Sequence, residues 1–370
     1  MGGREMNWRE QFLRLLEHEE PDVIPLDVWC SPAFRVKLES QFSPEELARF
    51  SPDQWLGVRS LAPGVPEEFA RKGVVHEPFI HYGTGIWIDK DTIEDEWGIR
   101  RRLTATRTES RVVHSPLRDL DLDSLDDYRF PDPYATGRFS ITREDVDKYK
   151  EEGYWVVGNF GIDAFWCQSW FLRGFNQLTI DLFANSEFVE KLMSKLLEYY
   201  VGVGRKLAEL GVDQANIYDD IACQTGMIVS PRLWRRYIKP QYRILIEALQ
   251  PRVKYIFFHS DGDLRPVIPD LTEIGVNILN PVQPDCMDPA ELKKLYGDEL
   301  TLWGGLSVQD TLPHGRVEDV KREVKRAIES CAARGGFVLG TSNNITQDTP
   351  TRNFLAIYEA AKEYGKYSLR

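Results

Sequence analysis

Residues 255 to 271 read YIFFHSDGDLRPVIPDL, an apolar run that breaks into a histidine, a serine and two aspartates around a glycine. His259 and Asp261 stand two apart, so a continued extended backbone sends both side chains to one side, facing one point. An imidazole that titrates near neutrality beside a carboxylate suits general acid/base work or hydrogen bonding. A second acidic pair, Asp219-Asp220, closes the run DQANIYDD. Neighbouring strand residues point to opposite faces, so one of the two can look into a site while the other caps or anchors the following loop. Asp27 with Trp29, Asn159 with Phe160, Asn280 with Gln283, Trp303, and Ser342-Asn343-Asn344 end further apolar runs in the same manner. Turns and N-caps use these residue types singly; seven such endings in one chain ask for more than turn chemistry.

Such groups need a frame that collects strand ends. The runs VIPLDVW (23 to 29), YWVVGNF (154 to 160), DQANIYDD (213 to 220), VKYIFFHSD (253 to 261), GVNILNPVQP (275 to 284), LTLWGGLS (300 to 307) and GGFVLGTSNN (335 to 344) alternate with stretches of helical spacing. Ser230-Pro231, Asp288-Pro289 and Thr349-Pro350 pair an N-cap residue with proline at the first helical position, and Glu291 completes a capping box with Asp288. Phe188, Leu192, Leu196, Tyr199, Val203 and Leu207 give one long helix an apolar stripe. Strand and helix in alternation require parallel strands with crossover helices, and an eighth strand in the less regular region 75 to 115 would complete the count of an α/β (β/α)8 TIM barrel. A doubly wound sheet is disfavoured because CSPAFRVKLES, after the first strand, has no glycine-rich phosphate fingerprint. GTGIWIDKDTIEDEWGIRRRL (83 to 103) alternates apolar and polar residues and predicts a β-meander inserted near residues 83–115, over one rim of the barrel. With an N-terminal helical segment, the expectation is one domain over residues 1–370. A barrel carries its site at the C-terminal ends of its strands, where these polar groups fall.

Composition narrows the partners. The 370 residues are 42% hydrophobic, enough for a large core, and the net charge of −12 argues against nucleic acid or an anionic membrane as a partner. The opening MGGREMNWREQFLRLLEHEEPD is a charged amphipathic helix without a signal-peptide apolar block, which predicts a cytoplasmic protein. Cys30, Cys167, Cys223, Cys286 and Cys331 are odd in number and form no C-x-x-C pair, so each is expected to be a small packing residue.

FFHSDGDLRPVIPDLTEIGVNILNPVQPDCMDPAELKKLYGDELTLWGGLSVQDTLPHG, with REQFLRLLEHEEPDVIPLDVW, DEWGIRRRL, DDIACQTGMIVSP and NNITQDTP, resembles the uroporphyrinogen decarboxylase superfamily over nearly the whole chain. The resemblance implies a barrel with its site in the mouth. It leans to the branch of corrinoid (cobalamin)-dependent methyltransferases, because the arginine loop with which the decarboxylase grips propionates is replaced by LDVWCSPAFRVKL, where Arg35 is alone. That branch holds zinc with a histidine-x-cysteine pair and a second cysteine after the last strand. Here the corresponding residues are His259-Ser260-Asp261 and GTSNNI, a hard nitrogen and oxygen set of His259, Asp261 and Asn343 that would take zinc or another divalent ion. The competing expectation is a metal-free acid/base role for His259. The resemblance places Asp219 or Asp220 beside the substrate and leaves Asp27 as an acid. Trp29, Asn159, Phe160, Gln224, Asn280, Gln283, Trp303 and Asn344 are the expected substrate-binding residues. Trp29, Trp155, Trp166, Trp170 and Trp303 would suit a flat aromatic or corrinoid ring, or pack the core. The expected reaction moves a methyl group from a small O- or N-methyl donor to a corrinoid on a partner protein. The alternatives are a decarboxylase or lyase acting on a smaller carboxylic acid and a non-catalytic ligand-binding barrel; a homodimer is allowed.

Overall fold

A computed structural model describes residues 6–50, 55–59, 86–104, 110–139, 141–161 and 163–367. Eight strands make one curled sheet: β1 (Leu26–Asp27), β2 (Trp55–Arg59), β3 (Trp155–Asn159), β4 (Gln214–Tyr218), β5 (Tyr255–His259), β6 (Ile278–Val282), β7 (Thr301–Leu306) and β8 (Phe337–Thr341). Their order is β1-β8-β7-β6-β5-β4-β3-β2, and every ladder is parallel. From β2 to β8 each strand therefore lies beside its neighbour in sequence, and β1 lies against β8.

Seven of the eight strands fall inside the runs predicted from sequence. The eighth does not. Within 75 to 115 the described residues hold four antiparallel strands, Ile86–Trp87, Thr92–Glu94, Arg100–Leu103 and Ser110–His114; residues 75–85 and 105–109 lie outside the described residues. The parallel strand sits earlier, at Trp55–Arg59, in a short run whose glycine and flanking prolines obscure its period.

β3, β5, β6, β7 and β8 are buried at every position. That is why they read as continuous apolar runs: helices cover one face of the sheet and side chains fill the other. The inner face holds Trp155, Val157, Tyr255, Phe257, Ile278, Trp303 and Val338, closed from below by Phe12, Leu15 and Leu16 of the N-terminal helix Trp8–Leu16. Phe12 stacks on both Trp155 (5.7 Å) and Trp303 (6.0 Å). The outer face packs on the helices, including Ser186–Leu210, whose stripe from Phe188 to Leu207 is buried. Ser230 and Asp288 cap helices as expected, although Asp288 does so through the amide of Ala290, while Pro350 itself is the N-cap of Thr351–Tyr364. Cys167 and Cys331 are buried; Cys30, Cys223 and Cys286 are half-buried. No described helix is long and apolar enough to cross a membrane.

Candidate functional site

Strand alternation carries the inner face upward from Trp155 and Val157 to Asn159, and from Tyr255 and Phe257 to His259. The polar strand ends are the top layer of a filled interior. Below them, inward positions of β4 form a hydrogen-bonded ladder: Trp155 Nε1 donates to Gln214 (3.1 Å), Gln214 Nε2 to Asn216 (2.7 Å), and Asn216 Nδ2 to the hydroxyl of Tyr218 (3.3 Å).

His259 ends β5 with its ring between Trp29 (centroids 5.4 Å, 29°) and Tyr218 (5.1 Å, 46°). Asn280 fixes its tautomer. The Asn280 Nδ2 donates to the Trp303 carbonyl (3.4 Å), which turns Oδ1 to within 2.6 Å of His259 Nδ1. Nδ1 therefore carries the proton, and the Nε2 lone pair faces the mouth. Nε2 stands 3.7 Å from Asp220 Oδ1 and 3.8 Å from Asp261 Oδ1, which is beyond hydrogen-bonding distance. One ligand atom from each of these three residues lies within 4.8 Å of the other two. The Asp261 Oδ2 accepts from Asn343 Nδ2 (2.5 Å), but its Oδ1 is buried without any donor. Three electron-rich atoms facing one another are costly unless a proton or a cation lies between them. Burial raises the Asp261 carboxyl above the usual carboxylate range; the His259 imidazole opposes that rise and the Asp220 charge adds to it.

The two aspartates after β4 divide as adjacent residues must. Asp220 faces the mouth and accepts the Asp261 amide (2.9 Å). Asp219 turns away and is buried, accepting the amides of Trp166 (2.8 Å) and Cys167 (2.7 Å) and the Tyr242 hydroxyl, so it holds the first turn of helix Phe165–Arg173. Burial lifts its carboxyl to about 6 against those donors. Ser260, between His259 and Asp261, points outward and accepts the Ile221 amide (3.0 Å), tying the loop after β4 to β5. Gly262 has φ +91°, and a Cβ there would meet the Cys223 backbone at 2.5 Å; glycine alone lets the hairpin Ala222–Met227 rest on the loop after β5.

Asp27 is enclosed, its Oδ2 accepting from the indoles of Trp29 (2.7 Å) and Trp303 (2.8 Å). Burial raises its carboxyl to about 7, with both indole N–H groups acting the other way. Trp303 is thus the support beneath Asp27, stacked on Phe12 in the interior, and Trp29 is the half-buried ring over His259. Trp155 lies in the interior floor, Trp166 is buried, and Trp170 is half-buried on helix Phe165–Arg173.

Other expected residues stand further out. Asn343 is not turned to the cluster as a donor: its amide nitrogen is on Asp261 and its oxygen accepts the Asn344 amide (2.5 Å), leaving Asp220 as the third group around His259. Asn344 reaches Asn343 through its own side chain (3.2 Å). Gln283 is buried and accepts the Gly262 amide (3.2 Å), so it shapes the loop carrying Asp261. Phe160 is buried in the outer core, edge-on to Tyr200, and Gln224 is exposed at the turn of the hairpin. Two residues escaped the sequence reading. Tyr218 sits just before the Asp219-Asp220 pair, with the inward alternation as its signal. Asp163 lies beyond β3, where burial and the Asp220 charge push its carboxyl to about 8 against the pull of Arg101; nothing local marked it.

The model for the family described as Uroporphyrinogen decarboxylase (URO-D) matches residues 101–364. The chain is 26% identical over 180 residues to a methylcobamide:CoM methyltransferase, MtaA, of Methanosarcina barkeri, covering 48% of this chain and 50% of that protein. It is 25% identical over 191 residues to a uroporphyrinogen decarboxylase of Thermus thermophilus, covering 52% and 53%. The chain spans about half the length of the curated relatives it matches. A solved methyltransferase from Methanosarcina mazei shares the fold with a TM-score of 0.66 at 19% identity, over 97% of this chain and 99% of that one.

Proposed function

The chain belongs to the uroporphyrinogen decarboxylase family, and from that premise we propose that it is a methyltransferase that moves a methyl group from a small O- or N-methyl donor to a corrinoid on a partner protein. We infer that the eight strands close as a (β/α)8 barrel, that the chain is one domain, and that the reaction takes place in its mouth. The observation that carries the reading is the mouth itself, where the Asp220 and Asp261 carboxyls stand 3.7 and 3.8 Å from His259 Nε2. An acidic pair there disfavours anionic substrates and suits neutral or cationic methyl donors.

The buried, donor-less Asp261 Oδ1 beside a free imidazole lone pair fits a divalent cation held by His259 Nε2, Asp220 and Asp261. Bound there, zinc or a similar ion supplies Lewis acidity toward the departing oxygen or nitrogen, and the partner's cobalt is the methyl acceptor. The chain's own residues orient and enclose. Asn280 holds His259 in one tautomer, and Trp29 and Tyr218 fix the plane of the ring and keep water from its faces. Asp27 anchors Trp29 and, with its carboxyl at about 7, exchanges a proton near neutrality. Asn343 steadies the Asp261 carboxylate, while Asn159 and Asn344 offer amides to the donor's polar groups.

Purified protein incubated with a panel of methyl ethers and methylamines and free cob(I)alamin tests this, with methylcobalamin formation followed by absorbance. Formation with at least one donor, and no carbon dioxide release from uroporphyrinogen, is the expected result; the reverse pattern would replace methyl transfer with decarboxylation. A carboxy-lyase acting on a smaller acid is the second reading, favoured by an enclosed Asp27 carboxyl able to stay protonated.

A further inference from the structure

Behind β1 lies a cavity of about 230 Å³ whose lining, among the described residues, includes Val28, Cys30, Arg35, Leu38, Phe50 and Phe354. Helix Pro32–Glu39 supplies Arg35 and Leu38, the turn Ala48–Phe50 supplies Phe50, and helix Thr351–Tyr364 supplies Phe354 and Tyr358. The rings of Phe50, Phe354 and Tyr358 stand 5.1 to 5.7 Å from one another and make an aromatic wall. Alternation beyond β1 separates this cavity from the mouth. Asp27 and Trp29 turn toward His259, while Val28 and Cys30 turn to the cavity.

Arg35 is the one charged residue in this lining among the described residues. It is half-buried, and its guanidinium has neither an ion pair nor a hydrogen bond among them. The polar groups around it are spent or neutral. The Tyr358 hydroxyl donates to the Phe50 carbonyl, and Lys37, on the same helix as Arg35, donates to the carbonyls of Gln347 (2.9 Å) and Thr349 (2.8 Å). Burial pushes the Cys30 thiol up to about 12, with the Arg35 charge acting the other way, so Cys30 offers Arg35 no anion. A guanidinium held against apolar walls without a counter-charge is costly, and a ligand that brings one removes the cost.

We infer that this cavity binds a small monocarboxylic acid with an apolar body, its carboxylate taken by Arg35 and its body by the aromatic wall. The planar guanidinium fork matches the two oxygens of a carboxylate. One cation in an otherwise uncharged lining answers one negative charge, which selects against dicarboxylates and phosphates. The volume is below the ~300–1,000 Å³ of pockets for drug-sized ligands, so the body is a single ring or a short chain.

Isothermal titration calorimetry of the full chain with benzoate and hexanoate, and with benzamide as the uncharged counterpart, reads the outcome. Both acids bind at a single site, and benzamide binds at least about tenfold more weakly. Arg35→Met keeps the aliphatic stem and removes the fork; it weakens both acids by about tenfold or more and leaves the melting temperature within a few degrees. Ala48→Phe, at an exposed position on the rim, fills the cavity without altering Arg35 and abolishes binding as well. His259→Ala leaves the affinity unchanged. Absence of binding by both acids would overturn the proposal. So would binding that survives Arg35→Met and is lost in His259→Ala, because the acid would then lie in the mouth.

Discussion

His259 is held by groups from three directions: Asn280 on Nδ1, Trp29 and Tyr218 on its two faces, and two carboxylates before Nε2. A residue so constrained is expected to act directly in the reaction. His259→Ala should lower turnover by about 10²-fold or more, since ligand and acid/base roles each supply that much; steady-state kinetics on the identified donor, with activity within threefold of wild type, would remove it from the mechanism. Asp27 gives a pH prediction. Its folded-state carboxyl is raised from an ordinary 3.8 to about 7, so the fold favours the neutral form. That contribution to stability is fully present below about pH 4 and is lost as pH rises through 7. Asp27→Asn keeps the neutral form at every pH. Relative to wild type it should gain stability between pH 4 and pH 8, by at most about 4 kcal/mol for a shift of roughly three units. Urea unfolding of both proteins at the two pH values measures it; a constant difference would mean that Asp27 is not buried as a neutral acid.

At the scale of elements, the site depends on loops that touch one another more than on any one strand. Ser260 and Gln283 tie the loop after β5 to the loop after β4 and to β6, and Gly262 lets the hairpin Ala222–Met227 close on it. Gly262→Ala forces a Cβ onto the Cys223 backbone at a positive φ. It should cost about 1–3 kcal/mol in strain alone and displace the neighbouring Asp261. The expected signature is a lower melting temperature together with weaker metal binding by calorimetry; an unchanged value of both would show that the hairpin has room to move. The second parallel strand, Trp55–Arg59, teaches a related lesson about elements. Five residues with a central glycine present too little pattern to be read as a strand, and pairing with β3 at all five positions is what makes it one.

For the molecule as a whole, the metal reading and the core are separable. The interior is closed by Phe12, Trp155, Trp303 and their neighbours, and the Asn280 amide on the Trp303 carbonyl links it to His259. Zinc-loaded protein dialysed against a chelator should therefore lose its ion while keeping its circular dichroism spectrum and melting within a few degrees. Asp261→Asn should lose the ion more readily still, since an amide keeps the shape and removes the charge. Elemental analysis decides: equal, chelator-resistant metal in both proteins places the ion elsewhere, and none in either favours an acid/base role for His259.

What the sequence alone determined follows from local rules. Continuous apolar runs made the strands visible, and the spacing of His259 and Asp261 put both on one side of a strand end, because two-residue alternation of side chains needs no distant partner. The same rule allowed only one of Asp219 and Asp220 into the mouth. Which one was decided by the amides of Trp166 and Cys167 and by Tyr242, groups 53, 52 and 23 residues away that capture Asp219. Asn343 was read as a donor from its place after the last strand, but an amide turns either way, and Asp261, 82 residues distant, takes its nitrogen. Asp163 carries no local mark at all, and Tyr218 only its inward alternation on β4. Their character comes from burial and from charges and rings that the fold assembles around them, and a carboxyl's proton or an imidazole's tautomer is set by such neighbours, which only the tertiary structure supplies.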